Sequence, residues 1–378
     1  MKDLTSDRMR GIDKTLIRRI NDLKGPDSID LGLGELKFPT PAAILDEVKA
    51  RAGEWNLGYT PNEGLPKLRE LIAGNSGYEV TSDEVCVTVG AQEALFGLLM
   101  VLVNPGDEVL VPDPGYPAYP SIVKMAGGTP RAYSLFPEDD FRLRSGEVER
   151  NLTKKTKAVI INSPNNPSGA VYSGGELKRL AGVLEARGIL AISDEVYREI
   201  YFGERPDSFA RHMSRFAVVD SVSKTFSMTG WRLGWCIAPP ELVRLFARFH
   251  QLAVTCAPAL SQHAAVFALG GGAEAERRRN LDELRRRRDL ALRCLREFTD
   301  LKCLEPGGAF YIFVDISGKT ASRGNSLDAA LGLLAKEKVV VIPGTAFGER
   351  GEGYIRLSFA AAPEQIEEGI RRIGRFFS

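Results

Sequence analysis

The chain has 378 residues with a net charge of +1, and its balanced basic and acidic residues give no electrostatic reason to expect nucleic acid or a membrane surface as a partner. Its five cysteines include no C-x-x-C pair and its three histidines lie far apart, so neither structural disulfides nor a metal site is predicted. The charged N-terminus and the lack of an uncharged apolar stretch of about 18 residues predict a cytoplasmic protein, neither exported nor membrane-spanning.

The first eighty residues predict helices around one irregular segment. Apolar residues recur at helical spacing in residues 13–23, 41–52 and 65–73, which indicates three helices. Between the first two helices, Gly32 and Gly34 precede a proline-rich stretch. This composition fits a plain loop, and it fits equally a backbone that comes close to another group.

From residue 85 onward, apolar runs alternate with helical segments. The runs cover residues 85–89, 109–111, 158–162, 189–194 and 216–223. Continuous apolar runs of this kind are typical of buried parallel strands, and ligands of such sheets bind beyond the carboxyl ends of the strands. The predicted fold class is therefore α/β, with a large domain whose mostly parallel central sheet is flanked by helices.

Polar residues follow three of these runs, where the strands should end. Asn166 comes after the run at 158–162, Asp194 and Tyr197 lie at the end of the next run, and Lys224 follows the last. We expect the four side chains to converge at one edge of the sheet. Lys224 has Arg232 eight positions later, a combination that suits covalent aldehyde chemistry beside a bound anion. On its own the S-x-S-K pattern fits a surface turn better.

The last third of the chain predicts a second, smaller α/β domain. Residues 276–298 form an arginine-rich helical pattern in which acidic residues alternate with the arginines, as expected for a solvated face. Residues 307–314, 339–342 and 354–359 are predicted strands. The predicted division places the N-terminal arm at 1–40, the large domain at 41–255 and the small domain at 256–378.

Several motifs together carry a resemblance to a known family. They are Gly58-Tyr59, Pro114-Gly115-Tyr116-Pro117, Asn165-Asn166-Pro167-Ser168-Gly169, Asp194-Glu195-Val196-Tyr197, Ser223-Lys224, Gly230-Trp231-Arg232-Leu233-Gly234 and Arg356-Leu357-Ser358. With these motifs the chain resembles the pyridoxal-phosphate-dependent aminotransferases of class I/II and fold type I, which include aspartate aminotransferase. The resemblance runs from about Ile29 to the C-terminus.

The resemblance implies a role for each residue around the ring of pyridoxal 5'-phosphate. Lys224 forms the Schiff base with the cofactor aldehyde, and Asp194 pairs with the ring nitrogen. Tyr197 and Asn166 bond the ring oxygen, and Tyr116 stacks on the ring. A carboxylate beside the ring nitrogen keeps it protonated, and the freed Lys224 amine acts as the general base.

The resemblance also implies how the cofactor phosphate is held. Ser221, Arg232 and the backbone at Ala91 and Gln92 surround the phosphate. Tyr59 reaches it from the partner subunit, so the active unit is expected to be a homodimer in which each chain completes the site of the other.

For the substrate, the resemblance implies that Arg356, with Gly34 and Asn166 beside it, binds the α-carboxylate. The expected reaction moves the amino group of an L-amino acid to a 2-oxo acid such as 2-oxoglutarate in a ping-pong cycle. An aspartate-like donor is the default, with aromatic or aliphatic amino acids as alternatives. The chain departs from the family after Gly34-Glu35, and no second arginine can be assigned to a side-chain carboxylate.

Two other functions stay open at the level of the sequence. A lyase of the same fold, eliminating at Cβ or Cγ, would use Lys224, Asp194 and Arg232 equally well. A non-catalytic domain that senses pyridoxal phosphate would usually come with a DNA-binding segment, and the residues before Ile29 show no basic helix-turn-helix pattern.

Overall fold

The computed structural model describes residue 4, residues 6–319 and residues 324–378. Its strands are β1 Ile29–Asp30, β2 Val85–Thr88, β3 Glu108–Asp113, β4 Thr129–Ser134, β5 Thr156–Asn162, β6 Leu190–Asp194, β7 Phe216–Ser221, β8 Gly234–Ile237, β9 Lys302–Cys303, β10 Tyr311–Asp315, β11 Val339–Val340, β12 Ile342–Pro343 and β13 Tyr354–Ser358.

The α-helices of the described residues surround these strands. They are α1 Leu16–Asp22, α2 Ala42–Arg51, α3 Pro66–Asn75, α4 Ala91–Leu102, α5 Ala118–Met125, α6 Ser145–Asn151, α7 Gly174–Ala186, α8 Val222–Thr225, α9 Pro240–Val254, α10 Ala259–Phe267, α11 Glu274–Phe298, α12 Ser326–Glu337 and α13 Pro363–Phe377. Among the described residues, no helix combines the length and the apolar composition that crossing a membrane requires.

A seven-stranded sheet forms the larger half of the molecule, in the order β2-β8-β7-β6-β5-β3-β4. Strand β8 is antiparallel to both its neighbours, and the other neighbouring strands pair in parallel. Strand β7 is buried along its whole length and β6 along nearly all of it, as expected for a sheet with apolar cores on both faces. The predicted α/β fold class with a mostly parallel sheet is confirmed.

The structure corrects the prediction at the end of β7. The strand predicted over residues 216–223 stops at Ser221, and Val222–Thr225 forms the short helix α8. The reason is local, because the Ser221 side chain accepts a hydrogen bond of 3.3 Å from the Ser223 backbone N–H and thereby caps the new helix. Lys224 therefore lies on a helical turn directly after the strand.

Two strands of the sheet have no counterpart in the sequence analysis. In β4 at the edge of the sheet only Tyr133 is buried, so the strand contains no apolar run. Strand β8 begins at Gly234, whose added Cβ would lie 2.6 Å from the Ala91 backbone nitrogen. In the sequence this glycine suggests a turn. In the structure it belongs to a strand, because only a residue without a side chain allows another backbone to approach so closely.

The smaller half contains a four-stranded antiparallel sheet in the order β12-β13-β10-β9 and the parallel pair β1–β11. The run predicted at 339–342 divides into β11, which pairs with β1, and β12, which pairs with β13. The strand predicted from residue 307 begins only at Tyr311. The division of the chain at residues 40 and 255 stays a prediction.

Candidate active site

Lys224 lies where β7 passes into α8, and its side chain turns back toward the N-terminal segment. Its Nζ donates a hydrogen bond of 2.7 Å to the carbonyl oxygen of Gly34. Burial lowers the pKa of Lys224 to about 8, although the neighbouring Glu35 carboxylate acts in the opposite direction. At neutral pH this lysine therefore reaches the neutral amine form much more readily than an ordinary surface lysine.

Asp194 ends β6, and its carboxylate is buried. The Tyr119 hydroxyl donates to its Oδ2 at 2.7 Å, and the Val196 N–H donates to its Oδ1 at 3.3 Å. Burial raises the pKa of Asp194 to about 6, and the hydrogen bond from Tyr119 partly offsets this effect. The carboxylate is thus a buried acceptor that a cationic partner would stabilise in its charged form.

Arg356 is a buried arginine on β13. It donates from Nη1 to Asn166 Oδ1 at 2.8 Å and from Nη2 to the Gly32 carbonyl at 2.6 Å. Its guanidinium lies 4.2 Å from the ring centroid of Tyr311. Its buried Nε has no hydrogen-bond partner among the described residues. A buried guanidinium with donor capacity to spare suits a carboxylate ligand.

The start of α4 and the turn after α8 meet at one end of the site, and their groups suit an anion. Gly90 caps α4 with a φ of 77°, and the first residues of the helix, Ala91 and Gln92, line the cavity. Free N–H groups at a helix start attract anions. An added Cβ at Gly90 would collide with the Arg232 guanidinium, so the glycine allows this arginine to approach the helix start. Arg232 itself has a left-handed backbone with φ 52°, an uncommon conformation found often at functional sites.

Two tyrosines border the space between Lys224 and the helix start. The Tyr116 hydroxyl donates to Gln92 Oε1 at 3.2 Å, and its ring packs edge-on against Tyr119 at 5.4 Å between centroids. The Tyr197 hydroxyl lies 2.9 Å from the Tyr311 hydroxyl. Both residues line the same cavity as Lys224.

One cavity of about 420 Å³ joins these groups. The residues predicted from the sequence that line it are Gly34, Ala91, Gln92, Tyr116, Asn166, Asp194, Tyr197, Ser221, Lys224, Arg232 and Arg356. Tyr59 is different, because its side chain is 86% exposed and does not belong to this lining. Its predicted contact with the site of a partner subunit stays a prediction.

The sequence analysis missed several residues that line the same cavity. They are Thr15, Ile17, Arg18, Asn21, Leu33, Glu35, Tyr119, Asn162, Ser223, Thr229 and Tyr311. Tyr119 lies in the first turn of α5, three positions after Tyr116, and this short spacing to a predicted site residue was a signal in the sequence. The residues of α1 gave no signal, because only the tertiary structure brings this helix to the cavity.

Comparisons with known proteins identify relatives over nearly the whole chain. A family model described as aminotransferase class I and II matches residues 26–373. The probable aspartate aminotransferase of Methanocaldococcus jannaschii is 36% identical, covering 99% of this chain and 100% of the relative. The aromatic-amino-acid aminotransferase 2 of Thermococcus litoralis is 37% identical, covering 97% of each chain.

A solved structure agrees with these matches. The aspartate aminotransferase of Thermus thermophilus with maleate has a TM-score of 0.94 and 33% identity, and the match covers 100% of both chains. The resemblance stated from the motifs is confirmed. The lyase and the non-catalytic sensor considered as alternatives are not favoured.

Proposed function

The chain belongs to the class I and II aminotransferase family, and from this premise we propose that its cavity holds pyridoxal phosphate and binds an acidic L-amino acid such as aspartate. The protein is an aminotransferase, which transfers an amino group between an amino acid and a 2-oxo acid. The proposed acceptor is 2-oxoglutarate. The observation that carries the proposal is that Lys224, Asp194 and Arg356 open into one cavity.

The groups around the cavity suit the parts of the cofactor. Lys224 offers an amine to the aldehyde, and Asp194 offers a buried carboxylate to the ring nitrogen. The helix start at Ala91 and the Arg232 guanidinium suit a phosphate, and Gly90 lacks the Cβ that would block their approach. The Arg356 Nε, which has no hydrogen-bond partner in the described part of the chain, supports the assignment of this residue to a ligand carboxylate.

The chemistry divides between the cofactor and the side chains. Pyridoxal phosphate, when bound, supplies an aldehyde that captures amines and a ring that accepts electrons from bonds at the attached carbon. Asp194 holds the ring nitrogen in its protonated form, because an opposite charge favours the charged state. Lys224, as the neutral amine, removes the proton from the substrate Cα as a general base. Arg356 holds the α-carboxylate so that this proton faces Lys224.

Helix α1 supports an acidic substrate. Arg18 lines the cavity, and no ion pair in the described part of the chain involves it. Glu35 also lines the cavity, but its carboxylate accepts a hydrogen bond from the Thr229 hydroxyl and lies near Lys224. With Arg356 assigned to the α-carboxylate, Arg18 is the cation available to a second carboxylate.

A second candidate is an aromatic amino acid. Ile17 and Leu33 line the same cavity and offer apolar surface to an aromatic side chain. The relative from Thermococcus litoralis carries an aromatic-amino-acid name, and the relative from Methanocaldococcus jannaschii an aspartate name. The charge of Arg18 makes the acidic substrate the first choice.

We propose further that the protein acts as a cytoplasmic homodimer. The Tyr59 loop is tied to α10 and to the segment before it, because Gln262 Nε2 of α10 donates to Thr60 Oγ1 at 3.0 Å and Asn62 Nδ2 donates to the Thr255 carbonyl at 2.7 Å. The side chain of Leu252, near this segment, is 89% exposed. A large exposed apolar side chain near a loop that carries an exposed tyrosine suits a two-fold contact. Five free cysteines suit a reducing compartment.

Borohydride reduction of the cofactor-loaded protein, followed by peptide mapping, tests the assignment of Lys224. We expect the label on Lys224, its loss in Lys224→Ala and its retention in the control Lys67→Ala, which changes an exposed lysine of α3. A label on any other lysine would refute the assignment. Incubation with amino acid in the absence of a 2-oxo acid should release neither ammonia nor pyruvate catalytically, and steady release would favour the lyase.

A further inference from the structure

Tyr311 on β10 is a buried residue that contacts three parts of the site. Its hydroxyl lies 2.9 Å from the Tyr197 hydroxyl, and its ring lies under the Arg356 guanidinium at 4.2 Å from centroid to Cζ. A Cβ added to Gly34 would lie 2.7 Å from the same hydroxyl. The Tyr311 side chain therefore lies against Tyr197, which is assigned to the cofactor ring oxygen, and against Arg356, which is assigned to the substrate carboxylate. It also lies close to Gly34, whose carbonyl accepts the hydrogen bond from Lys224.

We propose that Tyr311 is a positioning residue that donates its hydroxyl proton to Tyr197, directs the Tyr197 hydroxyl toward the ring oxygen of the bound cofactor, and links it to Arg356. This inference rests on the proposed function. It assigns Tyr311 a role in the reaction that its packing alone would not require.

The direction of the hydrogen bond follows from counting protons. Each phenol has one proton, and burial raises the pKa of both Tyr197 and Tyr311, so both remain protonated. An anionic ring oxygen accepts only, so the Tyr197 proton must point to it. The Tyr197 oxygen is then free to accept, and the Tyr311 hydroxyl at 2.9 Å is placed to donate. Hydrogen bonds in such a chain strengthen one another.

Packing on its own does not require a hydroxyl at this position. Phe310 and Phe313 on or beside the same strand are buried phenylalanines, so an aromatic ring without a polar group fills this region well. A buried hydroxyl without a partner is costly, so a tyrosine here needs the bond to Tyr197. Arg356 acts against burial by lowering the pKa of Tyr311, which makes the phenol a stronger donor.

The charged and titratable groups near this pair set the electrostatic background of any test. They are Tyr116, Tyr119, Asp194, Lys224 and Arg356. The test must therefore keep all five and remove only the hydroxyl. Tyr311→Phe does this and retains the ring under Arg356. Tyr133→Phe is the matched control, because Tyr133 is a buried tyrosine on β4 whose hydroxyl donates to the Ile160 carbonyl at 2.9 Å.

The readout is the visible absorbance of the cofactor bound to Lys224, titrated with pH. The group that titrates is the Lys224 nitrogen joined to the cofactor. When this nitrogen loses its proton, the ring oxygen carries the full negative charge, and the hydrogen bond from Tyr197 favours that deprotonated form. Removing the Tyr311 donor weakens this bond, so the titration midpoint should rise by about 0.2–0.6 pH unit, the value expected if one neighbour strengthens a charged hydrogen bond by 10–30%. Tyr133→Phe should keep the wild-type midpoint.

A double variant separates positioning from general loosening. Tyr197→Phe should raise the midpoint further than Tyr311→Phe, and adding Tyr311→Phe to it should change nothing, because the donor then has no hydroxyl to act on. Cofactor affinity, measured by equilibrium fluorescence, should fall about two- to fourfold in Tyr311→Phe, the free-energy equivalent of the same midpoint change.

The possible failures are distinguishable. A wild-type midpoint in Tyr311→Phe, or additive shifts in the double variant, would overturn the role of Tyr311 and leave the proposed function intact. If the wild-type protein shows no pH-dependent band linked to Lys224, the proposed function falls and this inference falls with it.

Discussion

The Lys224 side-chain nitrogen donates a hydrogen bond of 2.7 Å to the Gly34 carbonyl oxygen, across 190 positions of sequence. Gly34 lies between this lysine and Tyr311, and the neighbouring Gly32 carbonyl accepts a bond from Arg356 at 2.6 Å. The irregular segment after β1 therefore holds both the amine and the carboxylate-binding arginine. The sequence of this segment fitted either a plain loop or a backbone that comes close to other groups, and the structure shows the second.

Gly34→Ala should damage this arrangement. The new Cβ would lie 2.7 Å from the Tyr311 hydroxyl, so either the tyrosine or the segment must move. Because displacements of about 1 Å at a reacting group cost up to roughly 100-fold in rate, we expect kcat/KM to fall about 10- to 100-fold. The control Gly53→Ala adds a Cβ with no neighbour within 4 Å and should behave like wild type. Wild-type kinetics in Gly34→Ala would contradict the close approach.

The rate at which cofactor-free protein captures pyridoxal phosphate should depend on the Lys224 pKa. With a pKa of about 8, instead of the ordinary 10.5, the neutral amine is about a tenth of the total at pH 7. The capture rate, followed by stopped-flow absorbance, should rise with pH and level off above about 8. Since Glu35 raises this pKa, Glu35→Gln should move the curve to lower pH. A curve still rising at pH 10 in wild type would contradict a lowered pKa.

Asp194→Asn should stabilise the cofactor-free protein at neutral pH while abolishing transamination. Burial raises the pKa of Asp194 from 3.8 to about 6. The stabilising contribution of this carboxyl group to the folded state is therefore fully present below pH 3.8 and is lost as the pH rises through 6. That loss is at most about 3 kcal/mol, and the variant should recover about 1–2 kcal/mol after the weaker bond from Tyr119 is counted. Urea unfolding of the cofactor-free protein at pH 7.5 measures the difference.

The stability gain should nearly vanish near pH 3.5, where the wild-type carboxyl is mostly protonated in both the folded and the unfolded state. Asp46→Asn, which changes an exposed carboxylate of α2, provides the control and should change stability little at either pH. A less stable Asp194→Asn protein at pH 7.5 would show that the carboxylate is not penalised by its burial.

Arg18→Gln should change substrate preference. If Arg18 binds the second carboxylate, kcat/KM for aspartate should fall roughly tenfold, a modest value because this side chain is partly solvated, and kcat/KM for phenylalanine should change little. Arg19→Gln is the matched control, because Arg19 is the neighbouring arginine of α1 and does not line the cavity. Equal losses for both substrates, or for both variants, would argue against a carboxylate-specific role.

The homodimer can be tested at the exposed Leu252, which lies on α9 close to the segment that holds the Tyr59 loop. Light scattering should show twice the mass of the 41.4 kDa chain. Leu252→Glu should shift the protein to monomer and weaken cofactor retention, because a buried charge opposes the contact. Leu331→Glu changes a 37%-exposed leucine of α12 and should leave the dimer intact. Tyr59→Phe should keep the dimer and loosen the cofactor by about 1–2 kcal/mol. A fully active monomer would exclude a shared site.

Residue types at the strand ends were enough to predict four residues of the cavity lining, Asn166, Asp194, Tyr197 and Lys224. Asn166, Asp194 and Lys224 each follow an apolar run, and parallel strands bring their carboxyl ends to one edge, so local pattern and sheet geometry together placed them. The position of Arg232 eight residues after Lys224 indicated an anion-binding group, and the family motifs added Arg356 by resemblance. The exact ends were harder, because the Ser221 side chain ends β7 two residues early by capping α8.

Tertiary structure decided what surrounds these residues. Tyr311 reads as one aromatic among several in an apolar strand, and Arg18 as one arginine on a short amphipathic helix. Their positions depend on contacts between segments far apart in sequence, such as Lys224 with Gly34 and Arg356 with Asn166. Because such contacts are set by packing of the whole chain, no local spacing encodes them. The identity of the chemistry was thus readable from the sequence, and the linkage of Tyr197 to Arg356 through Tyr311 only from the fold.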